Sequence, residues 1–315
     1  MGMSITQKER RFPSATGLCD IVYRQWIPDD VRGAVVLVHG MSEHIARYDI
    51  FAKFLAENGF LVSGLDLPSH GKSWKEGIPR GYFGTEDGWG KILLDIRTLC
   101  AIVRKENPQV SVTLFGHSMG SLLSADYVSR YTKDFDAVVL CGTSGPNPAA
   151  VVGKFLAQRE IKAGRGMEPS PKLDKLCFGS FNKRMPHPKS AFDWLNRDEE
   201  GVKLYIEDSL CGFPFTAYGY ADLMTGISHV ASVKWAAKVP DMPILLISGD
   251  KDPVGGMGKG VKKVNKYLLA TNHTHVTFKL YPGARHEILN GIARNEVYGD
   301  ALLFLEAVAA GGEQE

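Results

Sequence analysis

The chain has 315 residues, of which 44% are apolar and 23% are charged, and its formal net charge is +2. These values are typical of a globular protein and exclude a disordered chain, which combines low apolar content with high net charge. The scattered lysines and arginines form no basic stripe, so we expect no nucleic-acid partner. The five cysteines lie far apart without a C-x-x-C pair, which argues against a disulfide framework and a zinc ribbon.

The N-terminus lacks an apolar core followed by a small-residue cleavage site, and no stretch reaches 18 uninterrupted apolar residues. The sequence therefore predicts neither a signal peptide nor a membrane-spanning helix. Together with the cysteine pattern, this favours a reducing, cytoplasmic location.

Three compact apolar runs in the first half of the chain show no polar alternation, which is typical of strands buried on both faces of a parallel sheet, and three further runs continue the pattern. They occupy residues 34–38, 60–65, 110–115, 137–140, 244–248 and 276–280. Segments with helical spacing follow the first three runs, and residues 298–310 resemble a closing helix. This alternation predicts an α/β fold with a mostly parallel sheet. Between about residues 145 and 238 the alternation stops and glycine and proline punctuate short apolar pieces, which indicates an insertion.

The segment Gly116-His117-Ser118-Met119-Gly120 directly follows the run at 110–115 and opens a helical stretch at 121–130. In this strand–turn–helix setting, G-x-S-x-G is typical of a nucleophile elbow, whose glycines let helix and strand approach and whose serine hydroxyl points out of the sheet. The alternative is a glycine-rich turn with an incidental serine. The context favours Ser118 as a nucleophile.

A serine hydroxyl needs a base, and the base needs an orienting acid, which follow in the order Ser, Asp or Glu, His. Among nine histidines, His286 combines the right place in this order with a position just past the run at 276–280. Two aspartates follow the run at 244–248. Turn geometry favours Asp252 as the acid and leaves Asp250 as a turn-forming residue.

The loop after the run at 34–38 is placed to supply one backbone N–H of an oxyanion hole, and the residue after the nucleophile supplies the other. We therefore predict that Met41 and Met119 bind the oxyanion through their main chain. His273 and His275 have no third ligand nearby in the sequence, so no metal site is predicted.

Five motifs resemble the α/β-hydrolase fold and, within it, the monoacylglycerol lipase and lysophospholipase-like branch. They lie at residues 39–48, 66–73, 116–120, 249–252 and 281–286. The resemblance implies a core of residues 1–144 and 239–315, with a mostly parallel central sheet flanked by helices, and an inserted, mainly helical cap of residues 145–238. It also implies a serine hydrolase that cleaves carboxylic esters of monoacyl lipids or related molecules without a cofactor.

Glu43 and Arg47 match polar contacts of this family near the glycerol end. The glycerol-specific lipases have a second histidine three residues beyond the catalytic one, whereas this chain has Leu289 there. An aromatic-rich cap stretch contains Phe213 and Tyr218, which either pack the lid or line an acyl-chain tunnel. Glu43, Arg47, Phe213 and Tyr218 are thus candidate substrate-binding residues, and a transient contact of the cap with a membrane surface is among the expected interactions.

Two other functions stay open. One is a peptidase or amide hydrolase, because a Ser-His-Asp set does not distinguish an ester from an amide. The other is a non-catalytic ligand-binding protein on the same fold, which is disfavoured because such proteins typically lose a triad member. The sequence does not indicate acyl-chain length, head group or oligomeric state.

Overall fold

The computed structural model describes residues 4–311, and its centre is an eight-stranded sheet in the order β1-β2-β4-β3-β5-β6-β7-β8. The strands are Ile5–Pro13 (β1), Asp20–Pro28 (β2), Gly33–Val38 (β3), Phe60–Leu65 (β4), Val112–His117 (β5), Ala137–Cys141 (β6), Ile244–Gly249 (β7) and Val276–Tyr281 (β8). Strands β3 to β8 pair in parallel, whereas β1 and β2 form an antiparallel hairpin that joins β4. The predicted mostly parallel α/β sheet is confirmed.

The helices cover both faces of this sheet. They are Asp49–Glu57 (α1), Gly88–Glu106 (α2), Met119–Arg130 (α3), Ala149–Glu160 (α4), Pro171–Phe178 (α5), Glu199–Glu207 (α6), Ala217–His229 (α7), Val233–Ala236 (α8), Lys259–Leu269 (α9) and Arg294–Gly311 (α10). Apolar residues of α1 and α10 pack against one face, and those of α2, α3 and α9 pack against the other. Every residue of β3 to β7 is buried, which explains the continuous apolar runs in the sequence.

The hairpin of β1 and β2 and helix α9 are absent from the sequence prediction. Strand β1 has the sequence ITQKERRFP and is largely exposed at the sheet edge, so it lacks the apolar run on which the prediction relied. Strand β5 also begins two residues later than predicted and extends to His117.

Between β6 and β7, which are neighbours in the sheet, the chain contains helices α4 to α8. Helix α7 packs against α4 and also against the core helices α2 and α3, and the indole N–H of Trp235 in α8 donates to the carbonyl oxygen of Ala125 in α3 at 2.8 Å. The end of the insertion is thus attached to the core, whereas α4 to α6 lie before this attachment. The division into core and cap at residues 145 and 238 stays a prediction.

In the part of the chain from residue 4 to residue 311, no helix combines the length and apolar character required to cross a bilayer.

Candidate active site

Ser118 lies in the turn between β5 and α3, with backbone angles of φ 54° and ψ −119°. A positive φ is costly for a serine and is found where the surrounding structure enforces it. The enforcement comes from close packing, because a Cβ on Gly120 would lie 2.1 Å from the carbonyl oxygen of Val38, and one on Gly116 would lie 2.2 Å from that of Gly120. The two glycines of G-x-S-x-G therefore permit the turn that presents the Ser118 hydroxyl.

The Ser118 hydroxyl contacts His286, which follows the end of β8. The hydroxyl oxygen lies 2.7 Å from Nε2 of His286, and Nδ1 of the same ring lies 2.9 Å from Oδ2 of Asp252 in the loop after β7. His286 is 2% exposed and Asp252 is fully buried. The structure thus brings the three predicted side chains together at the carboxyl ends of the parallel strands β5, β7 and β8, where α/β folds place their sites.

The two candidate aspartates have different surroundings. Asp252 also accepts hydrogen bonds from the Ser248 hydroxyl at 3.2 Å and the Val254 backbone N–H at 2.8 Å, which hold its carboxylate towards the imidazole. Asp250 instead accepts from the backbone N–H of Gly283 at 2.7 Å. Its carboxylate connects the loops after β7 and β8.

The predicted oxyanion donors flank Ser118. Met119 is the first residue of α3, so its N–H is one of those that the helix itself leaves unpaired. Met41 lines a cavity together with Ser118 and follows Gly40, where a Cβ would come within 3.1 Å of the Ser118 Cβ. Both residues therefore lie next to the serine, and the binding of an oxyanion by their N–H groups stays a prediction.

Glu43 is a buried carboxylate behind this loop. Its Oε1 accepts hydrogen bonds from the Gly40 backbone N–H and the Tyr48 hydroxyl, both at 2.7 Å, and lies 3.3 Å from Nδ1 of His117. Burial alone would raise the pKa of Glu43, but the hydrogen bond from His117 and the charge of Arg47 hold it well below its usual value. Glu43 is therefore ionised, and the hydrogen bond that it accepts from the Gly40 N–H holds the loop that contains Met41.

Two cavities have Ser118 in their walls. The first has a volume of about 230 Å³, and its walls combine aromatic side chains, among them Phe178, Trp194 and Phe213, with the charged side chains Glu43, Asp174, Lys175 and Glu287, after which we name it the charged cavity. The second, the apolar cavity, has a volume of about 130 Å³. Its apolar wall is formed by Met41, Met119, Leu122, Ala150, Leu176, Phe178, Leu223, Met224 and Ile227. An ester whose carbonyl lies at Ser118 would place its two substituents in different surroundings.

The candidate substrate-binding residues are placed differently relative to these cavities. Glu43 and Phe213 line the charged cavity. Arg47 lies behind its wall, between two carboxylates. The Tyr218 ring packs against Gly166 and the Tyr82 ring, 5.8 Å between ring centroids in the latter case, and lines neither cavity. Arg47 and Tyr218 are therefore absent from the walls of both the charged and the apolar cavity.

Three residues that the sequence analysis did not select also form the site. Trp194 packs its ring 5.3 Å from that of His286, and Tyr205 and Glu287 line the charged cavity. Trp194 and Tyr205 come from the insertion, which contains none of the five motifs that carry the family resemblance. Glu287 follows His286 directly, so its position next to a predicted catalytic residue was the available signal.

His44, Asp208 and Cys211 bring three potential metal-ligand atoms within 4.8 Å of one another. His44 Nε2 already contacts Asp208 Oδ2 at 2.7 Å, and burial raises the pKa of the Cys211 thiol above its usual value, despite the charge of Arg47. The contact between His44 and Asp208 joins the loop after β3 to the insertion.

The Hydrolase_4 family, described as serine aminopeptidase, S33, matches residues 29–292. The chain is 30% identical over 292 residues to a monoacylglycerol lipase of Mycolicibacterium smegmatis, covering 91% of this chain and 93% of that protein. It is 26% identical over 272 residues to the monoglyceride lipase of Rattus norvegicus, covering 84% and 78%.

Among solved structures, a thermostable carboxyl esterase from Bacillus coagulans in complex with glycerol superposes with a TM-score of 0.88 at 30% identity. The alignment covers 97% of this chain and all of that one. Family, relatives and superposition agree with the resemblance found in the sequence motifs. The chain therefore belongs to the Hydrolase_4 family and is a monoacylglycerol lipase-like carboxylic ester hydrolase on the α/β-hydrolase fold.

Proposed function

We propose that this enzyme hydrolyses esters of monoacyl lipids through an acyl-enzyme on Ser118. The observation that carries the proposal is the continuous hydrogen-bonded series from the Ser118 hydroxyl to His286 and from His286 to Asp252. His286 accepts the hydroxyl proton as Ser118 attacks the ester carbonyl, and the Met41 and Met119 N–H groups stabilise the oxyanion. Asp252 orients the imidazole and stabilises its protonated form. His286 then protonates the leaving alcohol, and water releases the acid.

The direction of substrate binding follows from the two cavities. The acyl chain lies in the apolar cavity, where burial of methylene groups is favourable, and the alcohol lies in the charged cavity. Glu43 lines that cavity, and its carboxylate oxygens can accept hydrogen bonds from alcohol hydroxyl groups. Monoacylglycerols have both parts, and two relatives bear the names monoacylglycerol lipase and monoglyceride lipase.

An aminopeptidase is the second candidate, because the matching family is described as serine aminopeptidase and a carboxylate wall also suits a free ammonium group. Turnover of monoacylglycerols against aminoacyl p-nitroanilides by the purified enzyme separates the two. The proposal requires kcat/KM for the esters to exceed that for the amides. A preference for the amides would contradict it.

Gly153 on α4 is expected to control acyl-chain length. It lines the apolar cavity, and a Cβ at this position would lie 2.9 Å from Sδ of Met224, another residue of the same wall. Gly153→Leu should therefore lower kcat/KM for p-nitrophenyl decanoate about 10-fold or more relative to the butyrate, in line with the roughly 1–3 kcal/mol per methylene that a tight pocket discriminates. Gln158→Leu, on the exposed side of the same helix, is the control and should leave the ratio unchanged. An unchanged ratio in Gly153→Leu would place the acyl chain elsewhere.

We also propose that the cap contacts membrane surfaces transiently, because the outer side of α4 and α5 carries exposed apolar residues. Val151, Val152, Phe155 and Leu176 are 53–69% exposed. Residues 149–178 contain six basic and three acidic side chains, so an anionic lipid surface is the complementary partner. The apolar cavity lies beneath the same helices, which would bring the acyl chains of a membrane close to their binding site.

Substitution of exposed residues on this surface should weaken membrane binding and leave the rate of ester hydrolysis unchanged. Val152→Asp with Phe155→Asp should reduce co-sedimentation with phosphatidylglycerol vesicles about 10-fold, because neither residue lines a cavity and both side chains become charged. Hydrolysis of p-nitrophenyl acetate in solution should be unchanged. Leu303→Asp, a 66% exposed leucine on α10, is the matched control. Equal binding of the double variant and the wild type would contradict this contact.

A cytoplasmic location is part of the same proposal. All five cysteines are free thiols, and reducing compartments keep cysteines in this state. Fractionation of the source cells, followed by detection of the enzyme with a fluorophosphonate probe, tests it.

A further inference from the structure

We infer that Glu287 is a positioning residue for the hydrolytic reaction, which couples the His286 loop to the oxyanion loop through Arg47. The inference rests on the proposed ester hydrolysis at Ser118. Glu287 directly follows His286, and its side chain contacts Arg47 in the short helical turn at Ile45–Tyr48 that follows the oxyanion loop.

The link consists of short hydrogen bonds between charged groups. Arg47 donates from Nη1 and Nη2 to the two carboxylate oxygens of Glu287, at 2.6 Å and 3.0 Å, and Nη1 also donates to Oε2 of Glu43 at 2.7 Å. Paired bonds between a guanidinium and a carboxylate fix orientation as well as distance. The guanidinium also lies 4.8 Å from the centre of the Tyr205 ring, which limits its movement further.

Each end of this link is attached to a group with a proposed role in the reaction. Glu43 accepts from the N–H of Gly40, the neighbour of the oxyanion donor Met41. At the other end, the backbone of Glu287 is continuous with His286, and its N–H donates to the carbonyl oxygen of Leu195 in the insertion at 2.7 Å. The oxyanion donor, the base and the insertion are thus held in one arrangement by a pair of ionic contacts.

The link is rigid because it is nearly buried. The side chains of Glu43, Arg47 and Glu287 are 4%, 12% and 3% exposed. Burial by itself lowers the pKa of Arg47, but the negative charges of Glu287 and Glu43 raise it well above its usual value, so the guanidinium stays charged. Catalytic groups displaced by about 1 Å lose on the order of 100-fold in rate, so a looser link is expected to reduce kcat.

Glu287→Gln tests the inference because it keeps the shape and removes the charge and one of the two acceptor atoms. With p-nitrophenyl butyrate, and with active enzyme counted by fluorophosphonate titration, we expect kcat to fall at least about 10-fold while KM stays within about 3-fold. Glu287→Asp keeps the charge and should recover part of the loss.

The matched control is Asp126→Asn, which disrupts another buried carboxylate that binds an arginine, Arg130, at 2.9 Å and 2.8 Å. Asp126 lines neither the charged nor the apolar cavity. The kcat of the Asp126→Asn enzyme should therefore stay within about 2-fold of the wild-type value.

A double-mutant cycle shows whether Glu287 acts through Arg47. If it does, Glu287→Gln should change kcat by less than about 2-fold in an Arg47→Met background. Wild-type kcat in Glu287→Gln would overturn the inference and leave the proposed function intact, as would a loss confined to KM for monoacylglycerols, which would make Glu287 a substrate contact. A wild-type enzyme that neither hydrolyses esters nor reacts with the probe at Ser118 would overturn the proposed function itself.

Discussion

Ser118→Ala is expected to lower ester hydrolysis by at least about four orders of magnitude, because it removes the atom that forms the acyl-enzyme. The residual rate would come from binding and from the oxyanion hole, which act without the nucleophile. The measurement is kcat for p-nitrophenyl butyrate with protein purified from a host that lacks the wild-type gene.

The control for Ser118→Ala is a measurement of its thermal unfolding. The wild-type serine occupies a positive φ that is no easier for alanine, and its hydroxyl bonds to His286, so we expect thermal unfolding within a few degrees of the wild type. Equal hydrolysis rates in the folded variant and the wild type would show that another residue is the nucleophile.

Asp252→Asn is expected to lower kcat about 10⁴-fold, the size of the effect known for the corresponding change in serine proteases. An asparagine amide can donate to Nδ1 of His286 and so favour the tautomer whose Nε2 carries the proton and cannot accept one from Ser118. The pair of aspartates in this loop offers a matched control.

Asp250→Asn is that control. Its carboxylate binds the Gly283 backbone N–H, a hydrogen bond that an amide oxygen also accepts, so kcat should fall less than about 10-fold. The larger loss in Asp250→Asn would reverse the assignment of the acid. Comparable losses in both variants would indicate that the loop, rather than one carboxylate, controls His286.

Features set by local sequence were predictable. The strands from β3 to β7 are buried on both faces, so each is a short apolar run bounded by turn residues, whereas the edge strand β8 is partly exposed and alternates apolar with polar residues. The motif at 116–120 indicates the tight turn directly, because only glycine fits at Gly116 and Gly120. With Ser118 as the nucleophile, the chain order Ser, Asp, His indicates Asp252 and His286, and the structure places these three in hydrogen-bond contact. Their catalytic roles stay predictions.

Features set by contacts across the insertion were not predictable. Trp194 beside His286 comes from a segment without a regular period, and only the folded chain brings it over the site. Arg47 and Tyr218 illustrate the same limit, because sequence identifies a polar or aromatic residue but not the direction of its side chain. Arg47 is turned towards Glu43 and Glu287, and Tyr218 packs on Gly166.

The insertion departs from β6 and returns at β7, its direct neighbour in the sheet. The entropy of closing such a loop grows only with the logarithm of its length, by roughly 0.6 kcal/mol for each doubling. Evolution or a protein engineer could therefore lengthen, shorten or exchange this excursion at little thermodynamic cost. The same scaffold could acquire new substrate ranges by this route, while the strand ends that hold the reactive groups keep their spacing.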